Sequence, residues 1–276
     1  MRFVLYLLII IASRNVSAGE INNLKKFGSN WSGFYYPESL DGLDSNSVVY
    51  CVGCCDDIAH DFCLSGALGC KVHLFDPTPV AIEHFKLLKG VLNGTHHPSD
   101  YKMGSLRIAK FHSNDDLETN HHHQVDYWKM LNESGVQVEN LIFHPVGLYI
   151  NDGNITFHFN TSSEQAYIHS EHSGGGEEKF IAPVKKLATI MRELGHDHID
   201  LLKIDIEGVE CEVLNQMIEE RIFPKYLSVD FDLGWTVENQ NRRECLRVIK
   251  RLKKVGYKQI SGTLPDVTFV FQPKRR

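Results

Sequence analysis

Acidic side chains close the apolar runs of this chain: Asp76 follows Cys70–Phe75, Asp205 follows Ile199–Ile204, and Asp230 and Asp232 flank Phe231. A carboxylate mounted at the end of a buried strand is a rigid acceptor for two hydrogen bonds, or a base. Asp76 suits the two hydroxyls of a ribose, which need both oxygens of one support. Asp205 and Glu207, two residues apart before Gly208, are candidates for taking a proton from a hydroxyl. The plainer roles are a helix cap for Glu207 and a backbone hydrogen bond for Asp205.

Gly53 ends the run Val48–Val52, and a residue without a Cβ lets a ligand approach the backbone there. The turn that follows reads Gly53-Cys54-Cys55-Asp56-Asp57-Ile58, with no Gly-x-Gly-x-x-Gly. Its acids would repel a pyrophosphate and tolerate a sulfonium carrying an amino-acid headgroup. That balance favours S-adenosylmethionine over a nicotinamide dinucleotide. Consecutive His121–His123 point in different directions on a helix and cannot chelate one ion together, and no metal is expected.

These residues need a frame of parallel strands, because ligands of open α/β sheets sit beyond the carboxyl ends of the strands. The pattern supplies one. Val48–Val52 leads into a helical period at Ile58, Ala59, Phe62, Leu64 and Leu68; Cys70–Phe75 leads into Pro79, Ile82, Phe85, Leu88 and Leu92. Successive strand–helix units imply parallel strands with right-handed crossovers. Further strands are expected at 141–146, 155–159, 199–205, 226–231, 257–261 and 267–271, with helices near 187–194, after Gly208 and over 239–255. Residues 93–139 read as an insertion, 170–178 as a loop around Gly174–Gly176, and 19–46 as a leader packing loosely on the domain at 47–276.

Residues 1–18 have the form of a signal peptide: Arg2, an apolar run Phe3–Ala12, and Val16-Ser17-Ala18 as a small-residue cleavage site. Its removal takes Arg2 and Arg14 and moves the formal charge from −6 to −8. An acidic product is a poor partner for nucleic acid or anionic membrane, and no stable membrane insertion is expected after cleavage. Five sequons, at Asn30, Asn93, Asn132, Asn154 and Asn160, point to a glycoprotein of the secretory pathway, lumenal or secreted. Seven cysteines, five of them within 51–70, read chiefly as small buried hydrophobes with room for a disulfide.

Four words of the sequence, Val-Tyr-Cys-Val-Gly at 49–53, His-Leu-Phe-Asp-Pro-Thr-Pro at 73–79, His-Pro-Val-Gly-Leu at 144–148 and Leu-Leu-Lys-Ile-Asp-Ile-Glu-Gly-Val-Glu at 201–210, resemble in order the motifs of the FkbM methyltransferases. The resemblance covers about 47–232. It implies a Rossmann-like class I methyltransferase fold, a mostly parallel seven-stranded sheet with helices on both faces, and S-adenosylmethionine as methyl donor. The implied donor contacts are Gly53 and its turn with Asp57 for the methionine part, Asp76 with Pro77 for the ribose, and Gly147 near the adenine. Asp205 would stand at the mouth of the fourth strand beside the reactive methyl. The expected activity is O-methylation of a small-molecule or glycan-like acceptor. The alternative is a secreted, inactive binding protein that keeps the fold, suggested by Cys51, Cys55 and Asp57 where such enzymes carry an acid and further glycines.

Overall fold

The computed structural model describes residues 23–97, 126–159, 166–167, 178–232 and 238–273; the signal segment, His121–His123, Gly174–Gly176 and the sequon at Asn160 lie outside the described residues. The chain opens with a hairpin, β1 (Leu24–Phe27) and β2 (Phe34–Pro37). There follow β3 (Val49–Val52), α1 (Ala59–Leu68), β4 (Val72–Phe75), α2 (Pro79–Leu92) and a helix α3 over 126–134. Next come β5 (Leu141–His144), β6 (Gly147–Leu148), β7 (Gly153–Phe159), β8 (Ala166–Tyr167), β9 (Glu178–Lys185) and α4 (Leu187–Leu194). The chain continues through β10 (Leu201–Ile204), α5 (Glu210–Glu219), β11 (Tyr226–Asp230), α6 (Glu238–Val255), β12 (Tyr257–Gly262) and β13 (Asp266–Phe271).

Seven strands make the central sheet in the order β12-β13-β11-β10-β3-β4-β5. The five from β5 to β11 run parallel, and β13 lies antiparallel to both of its neighbours. Strands β3, β4 and β10 are buried along their whole length, which is why they read as unbroken apolar runs. Alternation still sorts their side chains. Val49, Cys51, Val72, Leu74 and Leu201 pack on one face with α1, α2 and α3; Tyr50, Val52, Phe75, Leu202 and Ile204 pack on the other with α4, α5 and α6. Each buried large aliphatic or aromatic side chain contributes roughly 1.5–3 kcal/mol. The result is the Rossmann-like sheet with helices on both faces.

The strand order reverses between β3 and β10, the switch point at which such sheets bind ligands. Helix α2 starts as its sequence requires: Thr78 caps it by accepting from the Ala81 amide at 3.3 Å, and Pro79 occupies the first turn, where a missing N–H costs nothing.

Three expectations are corrected. The leader does not pack loosely over its described part: Tyr36 is 0% exposed, Phe27 and Phe34 are buried, and the Tyr36 hydroxyl reaches Ser228 of β11 at 2.6 Å. The hairpin is therefore part of the core. The third strand ends at His144 rather than 146, because Pro145 has no N–H to continue the ladder. Strands β6, β7, β8 and β9 form a second sheet, ordered β6-β9-β7-β8, whose longest member β9 was not anticipated. Pro183 interrupts its β-forming run, and it sits opposite Asn154 in an otherwise regular antiparallel register.

Candidate active site

Gly53 shows how tightly the switch point is built. Its φ is +80°, and a Cβ placed on it would lie 1.5 Å from the Asp205 carbonyl oxygen. Its lack of a side chain lets β3 and β10 close against each other, a tighter demand than admitting a ligand. The Gly53 amide donates to Phe75 O at 3.0 Å and the Asp205 amide to Val52 O at 3.1 Å, so three strand ends are tied at one point.

Asp76 stands at the end of β4, 5% exposed. One of its oxygens accepts from the amides of Cys54 and Cys55 at 2.8 and 2.9 Å, and the other from the Thr78 amide at 2.8 Å. A carboxylate offers about four acceptor positions, so about one remains for a ligand. Asp57 is likewise committed: it accepts from the Ser29 and Ser32 hydroxyls at 2.7 and 2.9 Å and from the Ala59 amide at 2.9 Å. It ties the N-terminal hairpin to the first turn of α1. Together these bonds consume the amides of Gly53, Cys54 and Cys55, and the Asp57 amide donates to Cys54 O at 3.3 Å. A pyrophosphate needs such amides free.

Gly147 belongs to β6 in the second sheet, three residues beyond the third strand it was expected to end. A Cβ there would meet Val184 at 3.1 Å and Pro77 at 3.3 Å, so the loop after β4 and the second sheet meet at these two residues. Pro77 and Gly147 are thus brought together, beside Asp76.

The candidate proton acceptors lie across the switch point. Asp205 follows β10, its Oδ2 3.1 Å from the Lys203 ammonium, which also donates to Gly53 O at 2.5 Å. Lys203 is 1% exposed. Burial alone would lower its pKa, but Asp205 and then Asp61 outweigh it and hold the lysine above its ordinary value. One buried cation therefore braces both the glycine turn and the carboxylate. Sequence reasoning passed over Lys203, although a lysine inside the buried strand Leu201–Ile204 was a signal.

Glu207 has a left-handed backbone, φ +57°, which costs a residue with a Cβ about 1–2 kcal/mol, and Gly208 follows at +108°. Burial first, then the charges of Asp205, Glu210, Asp232 and Asp230, push its carboxyl well above the usual range. Burial, then Asp205 and Asp266, push Asp230 up to about 8. The structure thus brings Asp205, Glu207, Asp230 and Asp232 to one place, with Glu210 and Asp266 added. This is a crowded cluster of carboxyl groups, several of them held protonated by burial and mutual repulsion, with the Lys203 ammonium beside Asp205.

Glu210, also missed from the sequence, holds this loop together: its Oε1 accepts from the amides of Gly208 at 2.9 Å and Ile206 at 3.3 Å. Burial pushes its pKa up to about 8. Between the ordinary glutamate value and 8 the folded protein then binds a proton that the unfolded chain does not, so this group's stabilisation falls as pH rises through that window. Glu210→Gln keeps the acceptor and removes the titration. Denaturant unfolding at pH 5 and pH 8 should show the wild type losing about 3 kcal/mol more than the variant. Equal losses would mean that Glu210 is not held protonated.

Below the site, on the face that Lys203 shares with Cys51, lies a buried polar chain. His60 Nδ1 faces Asp61 at 3.3 Å and Cys51 Sγ at 3.9 Å, its Nε2 meets the Tyr36 hydroxyl at 2.9 Å, and Ser228 donates to Thr268 at 3.3 Å. Among the described residues, Cys51, His60 and Asp61 are the three potential metal ligands whose atoms lie within 4.8 Å of one another. The members hydrogen-bond one another, as a buried polar network must.

The family model for the methyltransferase FkbM domain matches residues 48–258, most of the chain and all of the elements just described from β3 to α6, with the start of β12. No curated protein matches in sequence. Among solved structures, the Methanococcus jannaschii fibrillarin pre-rRNA processing protein aligns over 94% of this chain and 87% of its own at 9% identity and a TM-score of 0.34, too distant a likeness to argue from.

Proposed function

From the premise that this chain belongs to the FkbM methyltransferase family, we propose that it is an S-adenosylmethionine-dependent O-methyltransferase acting on a small-molecule or glycan-like acceptor in the secretory pathway. The carboxylate mouth at the ends of β10 and β11 carries this reading. A cationic ligand relieves the mutual repulsion of crowded carboxyl groups and lets them ionise, and the first turn has spent the amides that a dinucleotide would require. The donor supplies an electrophilic methyl on a cationic sulfur, so the protein's task is alignment plus removal of the acceptor proton.

The roles divide by environment. Asp205, paired with Lys203, is a positioning residue that fixes the loop and contributes fixed negative charge. Glu207, with its raised pKa and costly backbone, is the base: it takes the hydroxyl proton as the oxygen attacks, and activity rises with pH as it ionises. The Gly53 turn, Asp57, Asp76, Pro77 and Gly147 shape the donor side, Asp76 with about one acceptor position left for a ribose hydroxyl. The secretory setting is supported by the signal-like N-terminus and by four sequons, Asn30, Asn93, Asn132 and Asn154, all exposed.

The experiment is release of S-adenosylhomocysteine from the donor across a panel of hydroxylated sugars. Glu207→Gln should cost about 10²–10⁴ in kcat and flatten the pH profile. Glu207→Gly should be as inactive yet about 1 kcal/mol more stable, since glycine relieves the left-handed backbone. Full activity in Glu207→Gln would remove Glu207 from the mechanism. The second reading, an inactive binding protein, is favoured by the commitment of Asp76 and Asp57 to internal bonds, and is the conclusion if donor binds without turnover on any acceptor.

A further inference from the structure

The sulfurs of Cys211 and Cys245 lie 3.7 Å apart, both residues buried, at the packed faces of α5 and α6. The two helices follow successive parallel strands and run side by side in the same direction, and Arg251 of α6 donates to Asn215 and Glu219 of α5 one to two turns further on. Cys211 and Cys245 are far apart in sequence, so only the fold reveals them as neighbours. The other buried thiols of the catalytic half are differently engaged: Cys51 faces His60, and Cys54 faces the carbonyls of Cys51 and Phe75.

We propose that Cys211 and Cys245 are a disulfide-forming pair that closes in an oxidising compartment and locks the first turn of α5 to α6. The chemistry is a two-electron exchange with a small-molecule disulfide such as oxidised glutathione. One Cys thiolate attacks it, forming a mixed disulfide and releasing one glutathione thiol; the second Cys thiolate then displaces the other, and both cysteine protons leave to solvent or the glutathione thiolates. The S–H of Cys211 donates toward the Cys245 sulfur and so lowers the Cys245 pKa, which favours Cys245 as the attacking thiolate. A rotation about the side-chain torsions brings the sulfurs to the bonded distance of about 2.05 Å.

The consequence reaches the site. Cys211 directly follows Glu210, whose carboxyl oxygen holds the amides of Ile206 and Gly208 around Glu207. A bond at Cys211 fixes the helix turn from which that loop hangs. The pairing depends on the lumenal reading only for where it closes, not for whether it can close.

The test uses the full chain equilibrated with reduced and oxidised glutathione and a disulfide isomerase, alkylated, and digested with trypsin. The expected product is a cross-link between peptides 204–221 and 244–247, lost on reduction together with about 5–10 °C of Tm, and absent in Cys211→Ala. Separate, fully alkylated peptides at excess oxidised glutathione would overturn it, as would cross-links from either cysteine to the 51–70 group. The same map on protein harvested from a eukaryotic secretion culture separates the two readings. N-glycans with both thiols free overturn the disulfide and leave the compartment standing. Absence of glycans overturns the compartment, while the glutathione arm still decides the pair.

Discussion

Gly53→Ala is expected to abolish donor binding and to destabilise the fold by about 2–5 kcal/mol. Two costs add. A Cβ-bearing residue at φ +80° loses about 1–2 kcal/mol, and forcing a methyl against packed atoms costs about 1–3 kcal/mol more. Here the obstacle is the Asp205 backbone carbonyl, 1.5 Å from the new carbon, and backbone cannot swing aside as a side chain can. Relief requires β3 and β10 to part at the switch point, taking Asp205 and the Gly53 carbonyl off Lys203. Gly135→Ala is the control: its φ is +69° with nothing within 4 Å of the added carbon, so it bears the torsional cost alone. Urea unfolding of the two variants separates backbone strain from collision, and equal costs would show that β3 and β10 are not locked as described.

Lys203→Met should be nearly as damaging, about 3–5 kcal/mol, though it preserves volume. The loss is electrostatic: removing one partner of a buried pair strands the other. Buried Asp61 and half-buried Asp205 would then lose the lysine that offsets them, and Gly53 O would lose its donor. Lys203→Met combined with Asp205→Asn should recover part of the stability, since the stranded charge is gone, but not activity. A double variant worse than the sum of the single ones would contradict the bracing role.

Much of the frame was legible from the sequence because its physics is local. Buried parallel strands read as apolar runs, Thr78-Pro79 announces a helix, and Asp205 stands where a strand ends. What escaped depends on partners far away in sequence. The burial of Tyr36 is decided by Ser228 and His60, not by its own turn-rich surroundings. Lys203 looks like a flaw in an apolar strand until Asp205 and Gly53 O are placed around it. Asp76 reads as a ribose ligand from its position, yet three amides claim most of its acceptor capacity, two from a turn 21 and 22 residues earlier. The third strand stops at His144, before Pro145, so Gly147 falls outside it, and β9 carries Pro183 within a run that otherwise favours strand.

The chemistry follows the same division. Carboxylates at strand ends are visible in the sequence, but their mutual effect is not. Burial and crowding raise Glu207, Glu210 and Asp230 together, making the mouth a place where a base is poised and a cationic ligand is welcome.

Calorimetric titration of S-adenosylmethionine, with NADH as the comparison, into the folded protein tests the central claim most directly. The account predicts saturable binding of S-adenosylmethionine, none of NADH, and loss of the signal in Gly53→Ala. Correctly folded wild type that binds NADH, or that fails to bind S-adenosylmethionine, would contradict it.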